Sequence, residues 1–179
     1  MGSSRVGFVG AGRMGLPMVE RLAAAGHDLV AYARRPETQD ALTGLGVRHT
    51  TELPEAAAGA GVLLLCVFTD EQLAEIAGTL AAALPAGAVF ASHVTGREST
   101  LRAVAGRFPG IDVVDAPVSG VPDDIRAGRL TVLLGGLLQA DRHVLTHEGT
   151  DLGGELRHAA PHPGAVARLA AAAHVFERA

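Results

Sequence analysis

The chain reads as an α/β protein: a doubly wound, mostly parallel sheet with helices on both faces, ending in a helical C-terminal stub. Three observations predict this. Short apolar runs alternate with amphipathic stretches of helix length through the first two-thirds of the chain. One of those runs, VLLLCV at 62–67, is apolar at every position, as a strand covered on both faces must be. Neither an internal repeat nor a low-complexity linker divides the sequence.

The elements follow in order. Residues 5–10 (RVGFVG) form a short β-rich run closed by glycine and predict the first strand. Over 14–25 the apolar residues Met14, Met18, Val19, Leu22 and Ala23 recur at spacings of three and four, the period of an amphipathic helix. Pro17 falls in its first turn, where a missing N–H costs nothing, and Gly26 follows as the C-cap. A second strand is predicted at 28–33 and a short helix at 37–45, closed by Gly46. After the strand at 62–67, Asp70 is the expected N-cap of a helix over 71–84. Strands at 87–91, 111–116 and 130–134 and a helix at 98–108 complete the alternation. Beyond Gly136 the strand signal fades, leaving a helix near 140–145 and an alanine-rich helix over 165–178. The expected organisation is therefore residues 1–136 as the sheet domain and 137–179 as a diverged or truncated C-terminal segment.

Composition narrows the function. Hydrophobic residues make up 48% of 179, enough for a packed core. The net charge is 15 − 19 = −4, which gives no footprint for nucleic acid. No apolar run approaches the ~20 residues of a membrane helix, and the start of the chain leads straight into a strand rather than a signal peptide. Cys66 has no partner for a disulfide, so a cytoplasmic setting is expected. Of the eight histidines, His143, His147, His158, His162 and His174 crowd the end of the chain. Pro161 and Pro163 argue against a helix that would align His158 with His162 on a metal, and no metal site is expected.

The motif that carries chemistry is Gly10-Ala11-Gly12-Arg13-Met14-Gly15, G-x-G-x-x-G between a strand and a helix. Gly10 permits the tight turn, Gly12 lets backbone approach a pyrophosphate, and Gly15 lets helix and strand pack closely. The helix N-terminus offers free N–H groups to the phosphates. This is the dinucleotide loop of a Rossmann sheet; the competing reading is a purely structural glycine turn. An NAD site places a carboxylate about 20 residues beyond the glycines to hold the ribose 2′-hydroxyl. Here the second strand ends in Ala33-Arg34-Arg35, and two guanidinium groups suit a 2′-phosphate, so NADP (NADPH) is expected in preference to NAD unless both arginines are merely solvated. Val67, at the end of the third strand, is expected against the cofactor.

Together with the stretches Leu16-Pro17-Met18, Ala25-Gly26-His27 and Tyr32-Ala33-Arg34, the glycine loop resembles the β-hydroxyacid dehydrogenase family, which includes 3-hydroxyisobutyrate dehydrogenase and 6-phosphogluconate dehydrogenase and to which imine reductases are related. Asp115-Ala116-Pro117-Val118-Ser119-Gly120 resembles the family's substrate motif D-A-P-V-S-G-G and is followed by Ala127-Gly128-Arg129-Leu130-Thr131 and Gly135-Gly136. The resemblance spans residues 5–136. It implies a small hydroxy acid or semialdehyde as substrate, bound at Ser119 and the Gly120 amide, although Val121 replaces the third glycine. The family's S-T-x-x-P loop over the nicotinamide corresponds to 93–98, where Thr95 takes the threonine's place and the proline is absent. The catalytic lysine of the family's G-x-x-x-K falls at Arg168, and the supporting asparagine at Ala172. An arginine could orient a carboxylate but, with a pKa above ~12, cannot serve as a proton donor near neutrality. The all-helical second domain of the family has no counterpart before Ala179. Dimerisation or pairing with another chain would then complete the cleft. The expected function is NADP-dependent oxidoreduction; the alternatives are a catalytically inactive NADP-binding module and an imine reductase-like activity.

Overall fold

The computed structural model describes residues 5–138 and 141–146. The chain opens with β1 (Val6–Val9), α1 (Gly15–Ala24), β2 (Leu29–Tyr32), α2 (Pro36–Gly44) and β3 (Arg48–Thr50). It continues through α3 (Leu53–Ala57), β4 (Val62–Leu65), α4 (Asp70–Ala83), β5 (Val89–Ser92), α5 (Glu98–Arg107) and β6 (Asp112–Asp115). The last elements are β7 (Val118–Ser119), α6 (Pro122–Arg126), β8 (Thr131–Leu138) and β9 (Asp141–Thr146). The sheet order is β3-β2-β1-β4-β5-β6, all parallel, with β8 antiparallel to β6 and both β7 and β9 paired to β8. The order reverses at β1, which pairs β2 on one flank and β4 on the other. That reversal is where an open α/β sheet forms its crevice.

Strand side chains alternate faces with a period of two, so each strand feeds two cores. Phe8, Leu64 and Ala91 face Met18 and Leu22 of α1, Leu42 of α2 and Ile125 of α6. Val9, Leu63, Leu65 and Phe90 face Ala56 of α3, Leu73 and Leu80 of α4 and Leu101 of α5. Both layers are nearly free of aromatics; Phe8 and Phe90 are the only buried Phe, Tyr or Trp side chains among the described residues.

Three readings of the sequence change. β3 and α3 are additional elements in the 46–61 stretch, as are β7 and α6 between the strands expected at 111–116 and 130–134. Thr69, not Asp70, caps α4: its Oγ1 accepts a hydrogen bond from the Gln72 amide at 3.2 Å. Asp70 instead opens the helix, and its carboxylate accepts from the Arg97 amide at 3.0 Å and the Thr100 hydroxyl at 2.8 Å, tying α4 to the start of α5. Thr69→Ala should therefore lower stability by about 1 kcal/mol in urea denaturation. An unchanged midpoint would show that Asp70 takes over as the cap.

The helix expected near 140–145 is the strand β9. Its backbone pairs antiparallel with β8 from Leu133↔Thr146 to Leu138↔Asp141. β8 is longer than expected and presents a row of backbone groups that a strand, and not a helix, can satisfy. The helix expected over 165–178, with Arg168, and four of the clustered histidines (His147, His158, His162, His174) lie outside the described residues.

Candidate dinucleotide cleft

A cleft of about 1100 Å³ opens over the carboxyl ends of β1, β2, β4 and β5. That is at the upper end of the ~300–1,000 Å³ typical of small-molecule sites.

The glycine loop forms one wall, and its three glycines serve different ends. Gly10 has φ +98°, a left-handed conformation, and a Cβ there would stand 2.3 Å from the Cys66 carbonyl oxygen. A Cβ on Gly15 would stand 2.0 Å from the Gly10 oxygen and 2.9 Å from the Phe8 ring. Around Gly12 there is nothing within 4 Å. The outer two glycines are thus dictated by the fold, whereas Gly12 keeps space open toward the cleft. Its amide turns back to the Gly10 oxygen at 2.8 Å, and its own oxygen accepts from Leu16 at 2.9 Å as α1 begins. Met14 precedes α1 without a side-chain cap; with the Leu16 amide taken and Pro17 lacking one, the Met14 and Gly15 amides are left for an anion.

Arg13, Arg34 and Arg35 also line the cleft and are exposed. None of the three guanidinium groups has a hydrogen bond or ion pair among the described residues, unlike Arg126 and Arg129, which pair with Glu20 and Asp124. Ala33 sits buried beside them, its carbonyl accepting from Gln39 Nε2 at 2.9 Å. The one carboxylate in the lining among the described residues is Glu75 of α4; Glu37, in the first turn of α2, stays outside it. The Arg34–Arg35 end of the cleft is accordingly electropositive and suited to an anion.

Cys66, Val67, His93, Val94 and Thr95 line the same cleft from the ends of β4 and β5. Burial pushes the Cys66 thiol up to about 11, so it stays protonated near neutrality. Burial also holds the His93 imidazole below its ordinary pKa, against the opposing effect of its hydrogen bond to Ala116. Thr95 is exposed at the surface of the loop, in the cleft as expected.

The expected substrate residues are split. Gly120 and Val121 line the cleft together with Val118 and Pro122. Ser119 is exposed and lies outside the lining, because strand alternation in β7 sends it away from the side that Val118 takes. Val121 is 54% exposed. Its amide donates to Asp124 Oδ2 at 3.3 Å, and the Arg129 guanidinium holds the Asp124 carboxyl below the usual range. The sequence did not single out His93, Phe68 or Gln72, all in the lining. The available signal was positional: His93 directly follows β5, Phe68 lies in the loop after β4, and Gln72 in the first turn of α4.

Residues 5–146 match the model of the family described as the NAD-binding domain of 6-phosphogluconate dehydrogenase. An uncharacterized oxidoreductase of Shewanella frigidimarina is 30% identical over 139 residues, covering 74% of this chain and 48% of its own length. An NAD-dependent L-serine dehydrogenase of Pseudomonas aeruginosa is 27% identical over 167 residues, 85% of this chain and 56% of its own. A solved structure of Mycobacterium tuberculosis 3-hydroxyisobutyrate dehydrogenase with L-serine superposes with a TM-score of 0.70 at 28% identity, covering 75% of this chain and 47% of that one. The chain spans about half the length of the relatives it matches. Among the described residues no helix is long and apolar enough to cross a membrane.

Proposed function

Because the chain belongs to the family of the NAD-binding domain of 6-phosphogluconate dehydrogenase, we propose that it binds NADP(H) and serves the oxidation or reduction of a small hydroxy acid or its semialdehyde. The observation that carries the NADP preference is the set of unpartnered arginines around a cleft with no carboxylate at the end of β2. The geometry supports these residue roles. Amides of the Gly10–Gly15 loop and of the first turn of α1 bind the pyrophosphate. Arg34 and Arg35 take the 2′-phosphate, and Arg13 adds positive charge at the loop. Val67 and Thr95 bound the far half of the cleft. The bound cofactor supplies or accepts a hydride at C4 of its nicotinamide ring. The Gly120 amide and Ser119 are the proposed substrate contacts, with Ser119 needing a turn of β7 to reach the cleft.

Replacing Arg34 and Arg35 by alanine should weaken NADPH by on the order of 10- to 100-fold, the loss of one or two charge-assisted hydrogen bonds. NADH should change little. Titration calorimetry with both coenzymes decides it; equal losses would remove the case for NADP.

A second reading, a binding module without turnover, is favoured by one further observation. All 15 Lys+Arg residues are arginine, so no lysine is present to donate a proton, and Arg168 is a proposed substituent of that position with no acid chemistry near neutrality. NADPH oxidation against a panel of semialdehydes and cyclic imines separates the readings: turnover of semialdehydes supports the hydroxyacid reaction and turnover of imines the related one. Coenzyme binding with neither supports the module.

A further inference from the structure

His93 directly follows β5, and its backbone amide donates to the Leu65 oxygen at 2.8 Å, fixing it at the cleft floor beside the end of β4. Its side chain is 6% exposed. The ring Nδ1 lies 2.7 Å from the Ala116 carbonyl oxygen. A carbonyl only accepts, so Nδ1 carries the hydrogen, and in a neutral imidazole Nε2 is then a bare acceptor. That Nε2 is buried and has no hydrogen-bond partner among the described residues. Buried acceptors are rarely left in this condition, and the exceptions concentrate where a ligand completes the set.

The position says which ligand group. A dinucleotide straddles the point of sheet reversal, with one half on either side of β1. Arg34 and Arg35, after β2, mark the adenosine half. His93, after β5, lies on the opposite side, two strands beyond β1. The nicotinamide half carries a carboxamide, whose N–H groups are donors of the kind Nε2 lacks. Resting on the dinucleotide reading above, we propose that His93 Nε2 accepts a hydrogen bond from the nicotinamide carboxamide and so fixes which face of the ring meets substrate. The same histidine, held by Ala116, couples that ring to the segment leading into β7 and Gly120. Since Nε2 is closed to solvent, the contact forms as the groups around it shift for the entering ring.

Titration calorimetry on the full chain with three probes tests this: NADP⁺, its 3-acetylpyridine analogue, and 2′-phospho-ADP-ribose. The analogue keeps the carbonyl but replaces the amino group with methyl; the third probe lacks the ring altogether. The wild type should bind NADP⁺ about 10-fold more tightly than the analogue, equivalent to about 1.4 kcal/mol. In His93→Phe that preference should fall to about unity, with affinity for 2′-phospho-ADP-ribose unchanged. His93→Asn, which keeps a donor and an acceptor, should retain part of the preference. Persistence of the full preference in His93→Phe, or its absence in the wild type, overturns the proposal. An equal loss for all three probes in both variants also overturns it, since His93 would then act only on the fold. If the wild type binds none of the three probes, the dinucleotide reading itself has failed and the proposal with it.

Discussion

Gly12→Val should weaken dinucleotide binding severely and leave the melting temperature unchanged, while Gly15→Val should lower both. The two positions lie three residues apart in one loop, yet the surroundings of their missing side chains are opposite. Nothing lies within 4 Å of a Cβ on Gly12, so the isopropyl group enters open space and the fold has no reason to respond. That space is where backbone must come close to a pyrophosphate, so the ligand meets the new side chain instead. A loss of about 100-fold in affinity, or about 2.8 kcal/mol, is the expected scale. At Gly15 even the first added carbon would stand 2.0 Å from the Gly10 oxygen, which is backbone and cannot swing aside. Overpacking of this kind costs about 1–3 kcal/mol or more. Thermal melts paired with titration calorimetry on the two variants check the contrast. A Gly12→Val protein that binds NADPH normally would mean that the loop is a structural turn and the ligand lies elsewhere.

Phe8→Ala should remove about 3–5 kcal/mol of stability, a large part of the ~5–15 kcal/mol that a domain possesses. Phe8 is fully buried on β1, paired to Ala31 of β2 and Leu64 of β4, and its ring packs in the layer that holds Met18 and Leu22. Its strand partner Ala31 has no side chain long enough to refill the void. A cavity that cannot collapse sits at the high end of the range. Urea denaturation should show the midpoint falling with the slope preserved. Phe68→Ala is the control: Phe68 is 93% exposed, so its removal should shift stability by less than about 0.5 kcal/mol. Equal effects for the two phenylalanines would contradict the core described here.

Much of this was legible from residues alone, and the reasons differ by element. β1, β4 and β5 announce themselves because both faces are buried, leaving uninterrupted apolar runs such as VLLL. β3 does not, since Arg48, His49 and Thr50 form a short, polar edge strand with no hydrophobic pattern to read. α3 is one turn of five residues, below the length at which periodicity carries information. β9 was misread because its composition suits either structure, and the deciding factor is the pairing edge of β8. At the site, the glycine loop and the two arginines are local signals, and the structure puts them in the lining of the cleft. His93 was not, because its tautomer depends on the carbonyl of Ala116, 23 residues away. Ser119 was expected in the cleft from its motif, but the alternation of β7 turns it outward.

The reversal of strand order at β1 also constrains how the molecule comes into being. β1 is made first, yet one of its two flanks is filled by β4, whose residues leave the ribosome long afterwards. Until then Gly10 has no Cys66 carbonyl beside it, and only the local Gly12–Gly10 and Leu16–Gly12 hydrogen bonds shape the loop. A nascent chain cut before residue 62 would carry the whole glycine signature and still hold no nucleotide. The cradle is a product of long-range assembly, and the coenzyme can act only on chains in which that assembly is already finished.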